Sequence, residues 1–591
     1  MMKYSRNQIV AAARGDIKMD LVIRNAQLVN VFTAEVYPAD IGIKENRFSA
    51  IAAYENGKPS FPIEGEKEID AKGKYAIPGL IDCHVHIEST MVTPDMFARE
   101  VLRHGTTTAV IDPHEIGNVL GKEGVEYMAA ASRNLPVQFL LTIPSCVPAV
   151  PGVETAGAAF GPVDINELLD LPEAVGVAEV MDYVGVINQD DRMAGIVEAG
   201  LQKNKLNEGH LPRVSGKDLH AYLAAGVNTD HESRKSDEII EKLRAGMLIY
   251  IRESSVSQFA DIAAEAWKVL PYASNIAMCT DDVEPSDMLK NGQMSRVVRR
   301  CIEEGIPAPL AIRYASLNGA VRFGLRDQGA IASGYIASFS LVNSLDEMDI
   351  NDVFVEGKQL VEEKHLTETL SSEVPPLTKN TVSIPVLTEE DFQITSPVQN
   401  GKVRINTMEM LPIGTTQKRT VELEAVNGVI SSLPEDCLYV SVTGRHGQGR
   451  KPFVGILKNA GLKEGAYATT IAHDSHNLVV VGKNTKDMLL AAKQLEASGG
   501  GLCLVSNQEV KAQVNLPIAG LMAAEPVEEL APKIDSFNQT ADSMGVKVGR
   551  RSPSMALSSL TLTVIPEVRI TDLGLLDVAT QKMIPLFESV E

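Results

Sequence analysis

Between residues 77 and 280 the chain alternates between two patterns of apolar positions. Short apolar runs bounded by polar residues read as buried strands. The stretches between them space apolar residues three and four apart, as helices packed on one face do. The predicted strands are Gly79–Cys83, Thr107–Asp112, Val137–Thr142, Val175–Val180, Leu206–His210, Val227–His231, Met247–Arg252 and Asn275–Thr280. Helical patterns include Pro94–His104, with Thr93 as its cap, then Lys122–Asn134, Lys217–Ala225, Ser236–Ala245 and Val256–Val269. Eight such alternations give an α/β chain whose centre is a (β/α)8 TIM-like barrel. A doubly wound sheet is the alternative, but no glycine-rich phosphate loop follows the first strand.

The flanks carry a different pattern. A short helix is expected within the first 18 residues, capped by Ser5 or Asn7, followed by strands Asp20–Val31 and Asp40–Ser49. Short strands return at Ser338–Val342 and Asp352–Glu356. The organisation expected is a small flanking β-sandwich unit from both sides of the barrel (1–76 and 325–375), the barrel itself (77–324), a linker over Glu373–Pro385, and a C-terminal α+β domain (386–591). A chain of 591 residues exceeds what one core supports, which agrees with several units.

Charge and cysteine usage narrow the function. A net charge of −22 repels nucleic acid and anionic membranes, so neither is expected as a partner. Six scattered cysteines, with no Cys-x-x-Cys pair, read as reduced thiols in a cytoplasmic protein. The N-terminus lacks the apolar run of a signal peptide. Soluble enzymes are often symmetric, so a homo-oligomer is the base expectation.

The chemistry sits at strand ends. Pro78-Gly79 marks a turn, and the strand that follows ends in His84-Val-His86. Strand side chains alternate, so both imidazoles reach one point, a pattern suited to a metal. Strand four carries Glu179, strand five ends in His210, strand six in His231, and strand eight in Asp281. C-terminal strand ends of a barrel converge on one site. Four histidines and two carboxylates suffice for two divalent ions sharing one carboxylate. Imidazole and carboxylate without thiolate suit Mn²⁺, Fe²⁺ or Zn²⁺.

This set resembles the amidohydrolase superfamily: His-x-His on strand one, an acid or lysine bridge on strand four, histidines on strands five and six, aspartate on strand eight. The flanking Gly329–Ser338 stretch resembles a motif of that superfamily that usually ends in Asp; Ser338 stands there, a change expected to be structural. Within the superfamily the chain is similar to the adenine deaminase family. The likeness is carried by Ala109–Glu115, Ala178–Asp182, Gly209-His210 with Ser215–Leu219, Thr229–Glu232, Thr280–Asp282, and the C-terminal Gly-Arg-His-Gly and Ala-His-Asp-Ser-His-Asn.

The resemblance implies that His84, His86 and Asp281 hold one ion and His210 and His231 the other, with Glu179 bridging. It favours Mn²⁺, with Fe²⁺ or Zn²⁺ as rivals, two ions per subunit. It also implies hydrolytic deamination of the small-molecule substrate adenine to hypoxanthine and ammonia, in purine salvage. Asp281 is the expected proton shuttle. Glu232 reads either as the group that protonates the purine ring or as a surface acid opening the next helix. His114 and Glu115 read either as substrate-binding residues of the purine pocket or as part of a turn after Pro113. His473 and His476 belong either to a loop capping the barrel or to a domain interface. Two other readings stay open: hydrolysis of a cyclic amide, which usually goes with a lysine bridge, and a metal-free scaffold.

Overall fold

A computed structural model describes residues 5–411, 415–546 and 551–588. Eight parallel strands follow one another: β1 (Leu80–Val85), β2 (Thr106–Ile111), β3 (Gln138–Pro144), β4 (Ala174–Val180), β5 (Leu206–Gly209), β6 (Thr229–Asp230), β7 (Leu248–Arg252) and β8 (Ile276–Cys279). Parallel neighbours require long crossovers. Helices at Pro94–Arg103, Lys122–Ala131, Asp191–Gln202, Gly216–Ala224, Ser236–Arg244 and Ala260–Val269 lie in them. The strand ends differ from the sequence expectation by one or two residues.

The sheet curls. Strands β1 to β5 pair in order, and β6 to β8 likewise. Between β5 and β6 side chains replace the ladder: the Gly209 N–H donates to Thr229 Oγ1 (2.7 Å) and the Leu211 N–H to Asp230 Oδ1 (2.8 Å). At the other seam the Asp281 N–H donates to the His84 carbonyl at 2.9 Å, and Val85 bridges Asp281 in parallel register. This seam sets two of the candidate ligands side by side.

Gly79 does not form the expected turn. It joins strand Tyr75–Pro78 of the flanking sheet to β1 with little break. A Cβ there would lie 2.2 Å from Thr107 Oγ1, so glycine permits close packing against β2. Tyr75–Pro78 pairs antiparallel with Phe339–Val342 and parallel with Met19–Asn30, which puts both flanks of the curled sheet into one ten-stranded sheet. The Ser338 carbonyl accepts from the Gly79 N–H (3.0 Å) and its Oγ accepts from the Glu356 N–H (3.2 Å), so this residue ties strand ends together. The expected strand Asp40–Ser49 is instead a hairpin. Strand Glu35–Lys44 ends, Glu45 takes φ 54°, and Arg47–Glu55 begins. Apolar alternation on both sides of the two-residue turn concealed it.

The N-terminal helix runs Arg6–Arg14, with Ser5 accepting from the Gln8 N–H. Thr93 stands at the cap of the Pro94 helix, but its hydroxyl donates to Asp95 rather than capping.

The C-terminal part builds a second ten-stranded sheet, from Ile394–Thr395 to Glu509–Asn515, with helices Thr485–Ser498 and Val527–Ser543. It is not a body apart. Ile143, Val180 and Leu211 of the curled sheet share one buried apolar cluster with Ile471, Leu521 and Leu557. No helix among the described residues is long and apolar enough to cross a membrane. All six cysteines are free and buried.

Candidate metal centre

The tips of β1, β4, β5, β6 and β8 meet as the sequence predicts. Glu179, the penultimate residue of β4, stands at the middle. Its Oε1 lies 3.2 Å from His86 Nε2 and 3.8 Å from His84 Nε2. Its Oε2 lies 2.7 Å from His210 Nδ1 and 3.3 Å from His231 Nε2. Asp281 closes the ring, with Oδ1 3.1 Å from His86 Nε2 and Oδ2 3.8 Å from His231 Nε2. His84 and His86 bring their Nε2 atoms to 3.1 Å of each other, and the His84 and His231 rings stack at 4.5 Å.

The surrounding backbone fixes the chemistry of these rings. His86 Nδ1 is 3.0 Å from the Asp112 carbonyl. A carbonyl can only accept, so Nδ1 carries the proton and the Nε2 lone pair faces the cluster. His231 follows Asp230, whose carboxylate accepts from the Leu211, Glu232 and Ser233 donors and from Lys242 Nζ at 2.9 Å. Lys242 is wholly buried and is also held by Glu238 at 2.7 Å. That network locks the turn presenting His231.

Charge within the cluster is polarised. Burial opposes ionisation of Glu179, but the hydrogen bond from His210 and the adjacent imidazoles of His231 and His86 outweigh it and hold the carboxyl well below its usual range. Burial opposes ionisation of Asp281 too, and Arg252 with His86 reverses that. Burial and the neighbouring His231 push His84 well below its ordinary value. His231 itself, against burial, is raised to about 9 by Glu179 and Asp281. Its Nε2 has no hydrogen-bond partner although the residue is buried. Nitrogen and oxygen donors roughly 3–3.5 Å apart fit ligands placed about 2.1 Å from a shared cation. The groups His84–His231–Asp281 and Glu179–His210–His231 each bring one donor atom per residue within 4.8 Å of the others. The cluster therefore suits metal.

The remaining candidates divide. His114 joins the site, its ring 4.4 Å from that of His86, its Nδ1 donating to Asp112 Oδ2 at 3.1 Å. Glu115 turns away; it accepts from Ser89 Oγ (2.6 Å) and faces His476 Nε2 at 3.5 Å. Both open the short helix His114–Leu120. Glu232 is buried and precedes the helix start at Ser236, so it is no surface acid. Burial works against its charge, but Arg252 outweighs this and holds it below the usual carboxylate range.

Apart from the 473–476 turn, the other residues of the site were not singled out from sequence. Arg252, the last residue of β7, pairs with Glu232 and lies 2.6 Å from Asp281 Oδ2. The cavity in front of the cluster is also lined by His473 and Asp474, and by Arg551, Met555, Ser558, Ser559, Leu562 and Ile565. These come from the C-terminal part and roof the mouth of the curled sheet. The density of polar groups at 473–476 was the only sign of this in the sequence.

Comparison with known proteins agrees with the geometry. Residues 75–360 match the amidohydrolase family, and residues 414–582 match the adenine deaminase C-terminal domain. The chain is 37% identical to an adenine deaminase of Dehalococcoides mccartyi, over 99% of this chain and all of that protein. It is 39% identical to one of Desulfatibacillum aliphaticivorans, over 98% of this chain and all of that one. It is 38% identical to one of Klebsiella pneumoniae, over 98% and 95% respectively. Among solved structures, an enamidase of the amidohydrolase superfamily is 19% identical, with a TM-score of 0.44, covering 61% of this chain and 98% of that one.

Proposed function

The chain belongs to the adenine deaminase family of amidohydrolases, and we propose that it hydrolyses adenine to hypoxanthine and ammonia at the cluster around Glu179. We read the curled sheet as a (β/α)8 barrel with its active mouth at the strand ends. The supporting observation is the division of one carboxylate. Glu179 Oε1 faces His84 and His86, while Oε2 faces His210 and His231. We read this as two cation positions, one completed by His84, His86 and Asp281, the other by His210 and His231. Mn²⁺ is the ion we favour, with Fe²⁺ and Zn²⁺ compatible with the same donors. A bound divalent pair supplies the Lewis acidity that makes water nucleophilic near neutral pH.

The chain's own groups then handle two protons. Attack of water oxygen on C6 makes that carbon tetrahedral. Ring N1 gains one proton, and the leaving amine needs another to depart as ammonia. Glu232 rests as a carboxylate beside Arg252, so it reaches N1 as a donor only after taking the first proton from water. Asp281 lies against His86 on one side and Arg252 on the other, also ionised, and passes the hydroxyl proton to the amine. His114, Met555, Leu562 and Ile565 provide walls for a flat heterocycle, and the C-terminal roof excludes bulk water.

Free cysteines and an acidic surface agree with a cytoplasmic enzyme acting on a small molecule. The test is a panel of adenine, adenosine, cytosine and dihydroorotate offered to Mn²⁺-loaded protein. Ammonia release from adenine is expected. Turnover of dihydroorotate instead would favour cyclic amide hydrolysis, and no turnover of any would favour a scaffold.

A further inference from the structure

Behind His114, a second group of buried donors, of which His473 also borders the cavity, lies where the helix opened by His114 and Glu115 meets the C-terminal turn at 473–476. Glu115 Oε2 is 3.5 Å from His476 Nε2, and Glu115 Oε1 is 4.0 Å from His473 Nδ1. One donor atom from each of Glu115, His473 and His476 falls within 4.8 Å of the others. His476 is fully buried, Glu115 is 1% exposed and His473 8%. Glu115 Oε2 and His476 Nε2 both lack hydrogen-bond partners, and so does Oε2 of the adjoining Glu88. Leaving one such atom buried and unpaired costs on the order of 1–3 kcal/mol, and three in one place call for a common partner.

That partner is positive. Glu88 and Glu115 are two buried carboxyls. Among the described residues no lysine or arginine forms an ion pair with either. The turn is also rigid. The His473 N–H donates to the Ser558 carbonyl (2.8 Å), Thr561 Oγ1 donates to the His473 carbonyl (2.8 Å), and the His476 N–H to the Ala472 carbonyl (2.8 Å). The Ala472 N–H donates to His476 Nδ1 (3.3 Å), and His476 Nε2 faces Glu115 Oε2.

We propose that Glu115, His473 and His476 form a further site for a divalent cation, of the Zn²⁺ class, joining the catalytic sheet to the C-terminal part. Two imidazoles and one carboxylate leave one position of a tetrahedral ion open, with Glu88 beside it. The site holds the roof segment against the cavity by fixing the turn that carries Asp474. This inference does not rest on the deaminase reading, since none of its three ligands belongs to the Glu179 cluster.

The test loads full-length protein with Zn²⁺, removes free metal and counts ions per chain by mass spectrometry in wild type and His476→Gln. The expected result is one ion fewer in the variant, whatever number the Glu179 cluster holds. Equal counts overturn the proposal. Crystals of wild-type protein soaked in Zn²⁺ give an independent reading should the variant fail to fold. An anomalous peak between Glu115, His473 and His476 supports the site, and peaks confined to the Glu179 cluster overturn it.

Discussion

Arg252 places Nη1 2.6 Å from Oδ2 of Asp281, so a buried guanidinium stands beside the carboxylate assigned to carry a proton. The same nitrogen pairs with Glu232. Without it, two buried carboxylates would face each other unpaired. Removing one partner of a buried ion pair costs about 3–5 kcal/mol. Arg252→Met is therefore expected to lower the urea midpoint of metal-depleted protein well beyond a surface substitution. An unchanged midpoint would mean the pair contributes no net stability.

Asp281→Asn keeps the size of the side chain and removes its capacity to accept a proton. Turnover of adenine is expected to fall by about 10²-fold or more, within the range for loss of general acid–base catalysis, while circular dichroism stays that of wild type. A rate within a few-fold of wild type would take the shuttle role from Asp281.

Glu154 offers a pH test away from the cluster. It is buried between Val150, Ser475 and Thr563, and burial raises its carboxyl from 4.5 to about 7. With the folded value above the unfolded one, the unfolded chain ionises first. Stability from this residue is thus present below pH 4.5, declines as pH rises to about 7, and stays low above it. Glu154→Gln does not titrate. Relative to wild type, its unfolding free energy is expected to gain as pH moves from 4.5 to 7, approaching on the order of 3 kcal/mol. A gap independent of pH would show that Glu154 titrates alike in both states.

The shared core predicts the effect of truncation near residue 385. The buried cluster shared by the two parts would be cut through, and Met91 and Glu284 would lose their bonds from Ala523 and from Ser552 and Ser554. The shortened chain is expected to be insoluble on expression. A soluble fragment retaining adenine turnover would reduce the C-terminal part to an accessory.

Much of the site was legible because it uses local signals. β1, β4 and β8 are short apolar runs and β5 and β6 shorter mixed ones, each with a histidine or acid at or just past its end, so the pattern that predicts the strand also points to the candidate ligand. Arg252 was hidden by the same logic. A lone arginine closing an apolar run looks like a strand boundary, and only the curl of the sheet shows it facing Asp281. The Asp40–Ser49 hairpin was missed because apolar alternation resumes after the two-residue turn Glu45-Asn46. The roof was illegible for a different reason. Ser558 and Leu562 lie far from β8 in sequence and carry no periodic mark of their destination. Their place is set by packing between distant segments.

The central claim is that Glu179 organises the ions and, through them, the reaction. Metal content and hypoxanthine formation should be measured on the same Mn²⁺-loaded preparations of wild type and Glu179→Gln. The expected outcome is fewer ions at the cluster together with loss of turnover in the variant. Full metal occupancy with hypoxanthine formed at the wild-type rate would contradict it.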